Sequence, residues 1–198
     1  MGKGANSFGT FLIIGPTCFF LGILFSSFPY DYNVLWTVPT EGRDNYFKIL
    51  EDHIKFLHAS PPIISRILHI VMATGMFGFL LKLYNMSEAN MLFDGASLVL
   101  YIAGLMVYVT NIVKGFRVVT AGIYGPTEPL PDGEVDDFIG REDSLRVYAA
   151  SNTILALVLV GVLVLQAGQW YALRKEEAEI AEFATKDAEK KAAGKKNK

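Results

Sequence analysis

The sequence has 198 residues and a net charge of −2, so its length alone would suit one ordinary soluble domain. Its composition excludes that class: 52% of the residues are hydrophobic, only 19% are charged against about a quarter in typical globular proteins, and the mean hydropathy is +0.32. The single cysteine, Cys18, excludes a disulfide within one chain, and its place in an apolar run predicts a packing residue.

Four apolar runs are long enough to cross a bilayer, which takes about 20 residues in a helix. The first run predicts a span over about 8–28, with a kink at Pro16 and an end at Pro29. The later runs predict spans over about 63–84, 91–112 and 147–171. Because no alternating pattern indicates a barrel, the fold class is all-α, a polytopic membrane protein with four transmembrane helices.

A change of composition divides the chain in two. Residues 1–171 are assigned to a four-span membrane domain, and residues 172–198, rich in Ala, Glu and Lys, to a charged tail. The tail predicts a solvated helix, with Glu182 and Lys186 as a favourable i,i+4 pair, that frays into disorder past Gly194. Its last four residues resemble a dilysine signal for retrieval to the endoplasmic reticulum, which makes Lys195 and Lys196 candidates for that role.

The basic residues predict the orientation. Four spans place both termini on one side, and that side holds most of the basic residues, including Lys3, Lys82 and the Lys-rich tail. Basic residues favour the cytosolic side of a membrane. Both termini are therefore predicted to be cytosolic, with an acidic loop over 125–143 on the opposite side.

Charged residues in or beside the spans are candidates for function because they are costly in lipid. Lys82 and Asp94 flank the loop between spans two and three, where they could pair or could each contact lipid headgroups; contact with headgroups is the favoured interpretation. Arg66 lies one turn into its span and is expected to reach the interface. For the deeper His69, a hydrogen bond to a neighbouring helix is favoured over a proton relay.

Uncharged polar residues mark the ends of spans three and four on the side opposite the tail. Thr110 and Asn111 end one span, while Ser151 and Asn152 open the other. Amide side chains in lipid need partners, and small residues nearby would allow helices to approach closely. Packing within this chain and packing against the helices of a partner explain these residues equally well.

No catalytic motif is present: the sequence lacks a P-loop, a dinucleotide-binding fingerprint, a zinc-protease motif and a nucleophile elbow. His53 and His58 lie five residues apart, a poor spacing for a metal site. We therefore expect no enzyme, cofactor or metal. Acidic residues balance the basic residues of the tail, which also argues against binding to nucleic acid.

Several segments resemble one protein family. The most distinctive runs from Leu21 to Asn33, and it is followed in order by His58-Ala59-Ser60-Pro61 before span two, by Thr110-Asn111, and by the segments 149–155 and 165–171 of span four. With the Lys-rich tail, these features resemble the fungal endoplasmic-reticulum packaging chaperones for amino-acid permeases. The acidic loop is richer in Pro and acids than is typical of that family.

The resemblance implies a non-catalytic protein of the endoplasmic-reticulum membrane. Such a protein would help amino-acid permeases to fold through its spans and promote their packaging into COPII vesicles through coat contacts of its tail. Candidate motif and client-contact residues are Leu21, Gly22, Phe25, Ser26, Pro29, Tyr30, Asp31, Tyr32, Asn33, Thr110, Asn111, Ser151, Asn152 and Gln166.

Two other classes are considered. A small transporter should show inverted repeats and ionisable groups at the midplane, neither of which is evident. A lipid enzyme embedded in the membrane should cluster His, Asp or Glu at one face, and only the two spaced histidines and Asp31 could supply such a cluster.

Overall fold

The computed structural model describes residues 3–36, 42–84, 88–124 and 139–196, and of residues 3–6, 88–90 and 189–196 the backbone alone. The helices are α1 (Lys3–Leu35), α2 (Arg43–His58), α3 (Pro62–Tyr84), α4 (Glu88–Val107), α5 (Lys114–Ala121) and α6 (Arg141–Lys196). A π-helical segment, Tyr108–Val113, joins α4 to α5. No strand occurs in these ranges, so the predicted all-α class is confirmed.

Within the described residues, four helical stretches are long and apolar enough to cross a membrane, as the sequence predicts. They are α1, α3, the continuous rod formed by α4, the π-helical segment and α5, and α6. In the bundle, α1 and α4 each pack against both α3 and α6. We call the end where α3 ends and α6 passes into the tail the tail end. The opposite end, which carries α2, α5 and the start of α6, is the cap end.

α1 runs beyond the predicted end of the first span. Pro29 was expected to end this helix, but it lies inside it, and the helix continues to Leu35. Proline removes one helical hydrogen bond, whereas ending the helix within lipid would leave several backbone groups without partners. Beyond the proline, the side chain of Asn33 adds a hydrogen bond to the helix, since its Nδ2 donates to the carbonyl of Pro29 at 3.1 Å.

α6 is one unbroken helix of 56 residues, about 80 Å long, against about 30 Å for the hydrocarbon core. It extends well past the membrane at the tail end and continues to Lys196, two residues beyond the expected fraying point at Gly194. The tail is therefore a direct extension of the fourth span. The boundary at 171/172 stays a prediction, and most of the acidic loop, residues 125–138, lies outside the described residues.

Close helix contacts depend on glycine at a few positions. A Cβ on Gly78 of α3 would lie 2.8 Å from the Cβ of Leu12 and 3.0 Å from the backbone oxygen of Gly9 on α1. On the α4–α6 side, Gly161 receives Leu100 and Gly104 receives Leu155. Small residues let helix backbones approach in lipid, where van der Waals packing must hold the bundle together.

Cys18 does not pack inside the bundle. It is exposed on the outer face of α1, so the prediction of a packing residue is wrong. The apolar run around Cys18 reflects contact with lipid as well as with protein.

Candidate functional site

A closed polar cluster lies inside the tail end of the bundle. Its members are Lys82 of α3, Asp94 and Ser97 of α4, and Gln166 and Gln169 of α6. The Nζ of Lys82 lies 2.7 Å from Asp94 Oδ1, 2.8 Å from Gln166 Oε1 and 2.6 Å from Gln169 Oε1. These three contacts use all three donors of the ammonium group.

The amide groups complete this tail-end cluster. Gln169 Nε2 donates to Asp94 Oδ2 at 2.8 Å, and Gln166 Nε2 donates to Asp94 Oδ1 and to Ser97 Oγ, both at 3.1 Å. The side chains of Lys82 and Asp94 are only 1% and 2% exposed. The favoured interpretation, contact of these two residues with lipid headgroups, is therefore wrong: they pair with each other inside the protein and join three helices.

Asp31 is the corresponding buried acid at the cap end. It lies near the end of α1, is 1% exposed, and accepts a hydrogen bond at 3.0 Å from Nδ2 of Asn152 on α6. Its second oxygen, Oδ1, has no hydrogen-bond partner within the described part of the chain. Asn152 therefore joins α6 to α1, and its role in packing within this chain is evident.

The amphipathic helix α2 covers the cap end. Its buried face consists of Phe47, Leu50 and Ile54, and it packs against α1, α5 and α6. Arg141 at the start of α6 binds this helix, with its Nε 2.7 Å from Glu51 Oε2 and its Nη1 2.9 Å from Asp44 Oδ1. The cap helix is thus joined to the fourth span by both apolar packing and charge.

Two titratable groups of α2 have shifted pKa values. Burial opposes ionisation of Glu51, but hydrogen bonds and positive charge from Lys55 and Arg141 outweigh it and hold the pKa of Glu51 below its ordinary value. Burial lowers the pKa of His53, whose ring stacks on Tyr30 with centroids 4.0 Å apart. At neutral pH His53 is therefore an uncharged packing group.

The predicted site residues divide into three groups by exposure. Gly22, Phe25, Ser26, Pro29, Tyr32 and Thr110 face outward; Leu21, Tyr30, Asn33 and Asn111 are half-buried; Asp31, Ser151, Asn152 and Gln166 are buried. A client could touch the first group directly, whereas the buried group is already engaged inside the bundle. Client contact stays a prediction for all of them, and the side chains of Lys195 and Lys196 lie outside the described residues.

The outward face of α1 carries a row of aromatic side chains at the cap end. Phe28, Tyr32 and Trp36 follow one another at one-turn spacing, with neighbouring ring centroids 5.8 and 5.6 Å apart, and Phe25 is 78% exposed. The hydroxyl of Ser26 bonds to the carbonyl of Ile23. The bundle does not bury these rings, so they are available to lipid or to another protein.

Sequence reasoning missed two members of the tail-end cluster, Ser97 and Gln169. Gln169 stands beside Trp170 and Tyr171, a sequence that is typical of a span end at the membrane interface. The signal was its spacing, since Gln166 and Gln169 are three residues apart on one face of an otherwise uncharged span, while a charged residue in each of two other spans needed a partner.

Among the described residues, no three His, Cys, Asp or Glu side chains form a group that could hold a metal ion. His58, which the sequence offered as one possible ligand, stacks on Phe116 of α5 with ring centroids 6.2 Å apart.

Comparison with known proteins identifies the family. The chain matches the model of the SHR3 chaperone family, described as ER membrane protein SH3, over residues 4–198. It is 24% identical over 182 residues to the Secretory component protein psh3 of Schizosaccharomyces pombe, covering 92% of this chain and 78% of that protein. No solved structure matches. Because the family model covers nearly the whole chain, the chain belongs to the SHR3 chaperone family and is a multi-pass chaperone of the endoplasmic-reticulum membrane that acts on membrane proteins.

Proposed function

We propose that this protein assists the folding of amino-acid permeases in the endoplasmic reticulum and promotes their packaging into COPII vesicles, with both termini in the cytosol. The likeness of the segment Leu21–Asn33 to the permease-packaging chaperones supports amino-acid permeases as the clients. The name of the Schizosaccharomyces pombe relative, a secretory component protein, supports a role in export.

The observation that carries the proposal is the outward direction of the α1 motif. The exposed residues of this motif lie on the surface of α1 and do not pack inside the bundle; they are Phe25, Ser26, Pro29 and Tyr32. Pro29 has no N–H, so the carbonyl of Phe25 lacks its usual helical donor, and such groups are costly in lipid. An outward face with aromatic and polar groups suits transient contact with the unpaired polar groups of an unassembled permease.

The tail supports the export part of the proposal. It continues α6 without a break, and the described side chains beyond Arg174 are exposed, including Ile180 and Phe183. Such a rod would hold coat contacts at a distance from the membrane while the spans hold the client. We place this rod in the cytosol because of its basic residues.

Deleting the gene in its host tests the function. Amino-acid permeases should then accumulate in the endoplasmic reticulum as seen by microscopy, while an unrelated multi-spanning protein should reach the cell surface as the control. Normal arrival of the permeases at the plasma membrane would contradict the proposal.

Two further measurements separate folding from export and test the orientation. Truncation after Leu173 should leave permeases soluble in mild detergent but retained, and aggregation of the permeases would show that the tail is needed for folding. An engineered glycosylation site after Lys186 should stay unmodified, whereas one beside Gly122 should receive a glycan.

A further inference from the structure

The cap half of α3 stands apart from the rest of the bundle. In its tail half, Gly75, Gly78 and Phe79 are buried against the neighbouring helices. Over residues 62–71 no residue is buried, and Ile70 is still 65% exposed. Glycine lets the tail half approach α1, whereas the bulky isoleucines of the cap half have no matching notch. This difference in exposure means that the cap half of α3 packs less closely against the bundle and leaves an opening beside it.

The other spans stay together there and form the floor of the opening. α1 and α6 are joined by Asp31 and Asn152, and Tyr148 of α6 packs where Gly115 of α5 leaves space. A partly open apolar cavity of about 30 Å³ lies between the helices. It is lined by Phe20, Met72, Leu105, Tyr108, Leu155 and Leu159, and we call this opening and the face of α3 beside it the lateral groove.

Polar groups lie at the edge of this apolar groove. Tyr108 lines the cavity, and its hydroxyl is 3.5 Å from Nε2 of His69 on α3, whose side chain is exposed. Arg66 lies one turn earlier and is exposed too, with no acidic partner within the described residues. His69 lies seven residues into α3, so it is about 10 Å inside the helix end and below the headgroups.

The π-helical segment begins at Tyr108. A π-helix inserts extra backbone into a turn and rotates the helix beyond it, and such segments are frequent at functional sites. Here it allows α4 to direct Tyr108 towards α3 while α5 stays packed on α6 and on the cap helix. The rod formed by α4 and α5 thus faces the groove and the bundle at the same time.

Exposed ionisable groups at this depth need a partner that lipid tails cannot supply. A phospholipid could fill the apolar cavity with an acyl chain and reach Arg66 with its phosphate, but it offers no acidic or amide group at the depth of His69 and Tyr108. A second copy related by a two-fold axis would bring its own Arg66 to the site, and the two guanidinium groups would repel each other. A membrane helix with an acidic or amide side chain complements both the cavity and the charge.

We propose that the lateral groove receives one membrane-spanning helix of an unassembled client, and that Arg66, His69 and Tyr108 bind an acidic or amide side chain which that helix later buries in its own fold. The cavity accepts one apolar side chain of the same helix. This inference rests on the proposed function and adds the site and the chemistry of the client to it.

Site-specific photocrosslinking tests the groove in the full-length protein in its own membrane. A photoreactive residue replaces Ile70, beside the polar groups, and in a matched control it replaces Val164, which is 64% exposed on α6. The probe is a pulse-labelled amino-acid permease. We expect an adduct with the permease at position 70 that is at least about fivefold stronger than at position 164, because only the first lies at the groove.

Variants with the crosslinker at position 70 test the polar groups. Arg66→Leu with His69→Leu should lower the adduct at least about fivefold, and Arg66→Lys should keep it. Thr185→Val, which alters an exposed hydroxyl of the tail that bonds to its own helix, should leave the adduct unchanged. Thermal unfolding of each purified variant checks that the fold is intact.

The outcomes are distinct. The groove is not the client site if the permease co-purifies with the protein but crosslinks equally at positions 70 and 164. The same conclusion follows if Arg66→Leu with His69→Leu does not lower the adduct at position 70. Adducts at position 70 with lipid alone, or with a second copy alone, also overturn the inference. If the permease does not co-purify at all, it is the proposed function that fails.

Discussion

Breaking the tail-end cluster from one side should strongly destabilise the protein. In Lys82→Met, the carboxylate of Asp94 remains inside the bundle with only the amide groups of Gln166 and Gln169, and both glutamine oxygens lose their donor. Removing one partner of a buried pair costs about 3–5 kcal/mol. At roughly 2–4 °C per kcal/mol for a chain of this size, the midpoint of thermal unfolding should fall by roughly 6–20 °C.

The double variant Lys82→Met/Asp94→Leu distinguishes an unpaired charge from lost packing. Without either charge, the two glutamines and Ser97 can still bond to one another, so the double variant should lose no more than about half the stability that Lys82→Met loses. Lys186→Met is the matched control, because Lys186 pairs with Glu182 at 2.6 Å but both side chains are mostly exposed. That change should cost under about 0.5 kcal/mol.

The assay is thermal unfolding of the full-length protein in mild detergent, followed by loss of the monodisperse peak in size-exclusion chromatography. Two results would refute the reasoning. One is a Lys82→Met variant as stable as the Lys186→Met control. The other is a double variant whose loss of stability equals the sum of the losses measured for Lys82→Met and for Asp94→Leu alone, because the two charges would then act independently.

Three further predictions concern the cap, the helix contacts and the tail. Burial lowers the pKa of His53 in the folded state, so the unfolded state binds a proton more readily as the pH falls. Protection of α2 from hydrogen exchange should therefore fall as the pH drops below about 6.5. His53→Phe should flatten that dependence. Gly78→Ala should cost about 1–3 kcal/mol in thermal unfolding, because its Cβ meets backbone, whereas Gly22→Ala, with open space around it, should be neutral. Replacing Lys195 and Lys196 with Ser should let the protein reach later compartments by microscopy, and unchanged retention would assign retention to the spans.

The number of spans and the family could be predicted from the sequence. A bilayer demands about 20 apolar residues from each crossing helix, so a one-dimensional hydropathy profile is sufficient to count them. The ordered motifs from Leu21 to Tyr171 were sufficient for the family. The bounds were less certain: Pro29 looked like an end of α1, but the chain keeps its helix because backbone groups in lipid have no other partners.

The sequence could not decide which side chains face inward, and only the tertiary structure did. In water, an amphipathic pattern separates a buried face from a solvated one, as it does for α2 with Phe47, Leu50 and Ile54. In a bilayer both faces of a span are apolar, so that pattern is lost. Cys18 was therefore assigned to the inside and lies outside, whereas Lys82 and Asp94 were assigned to headgroups and lie at the centre of the tail-end cluster. The rotation of each helix about its axis decides these positions, and it is fixed by glycine notches and polar partners on other helices.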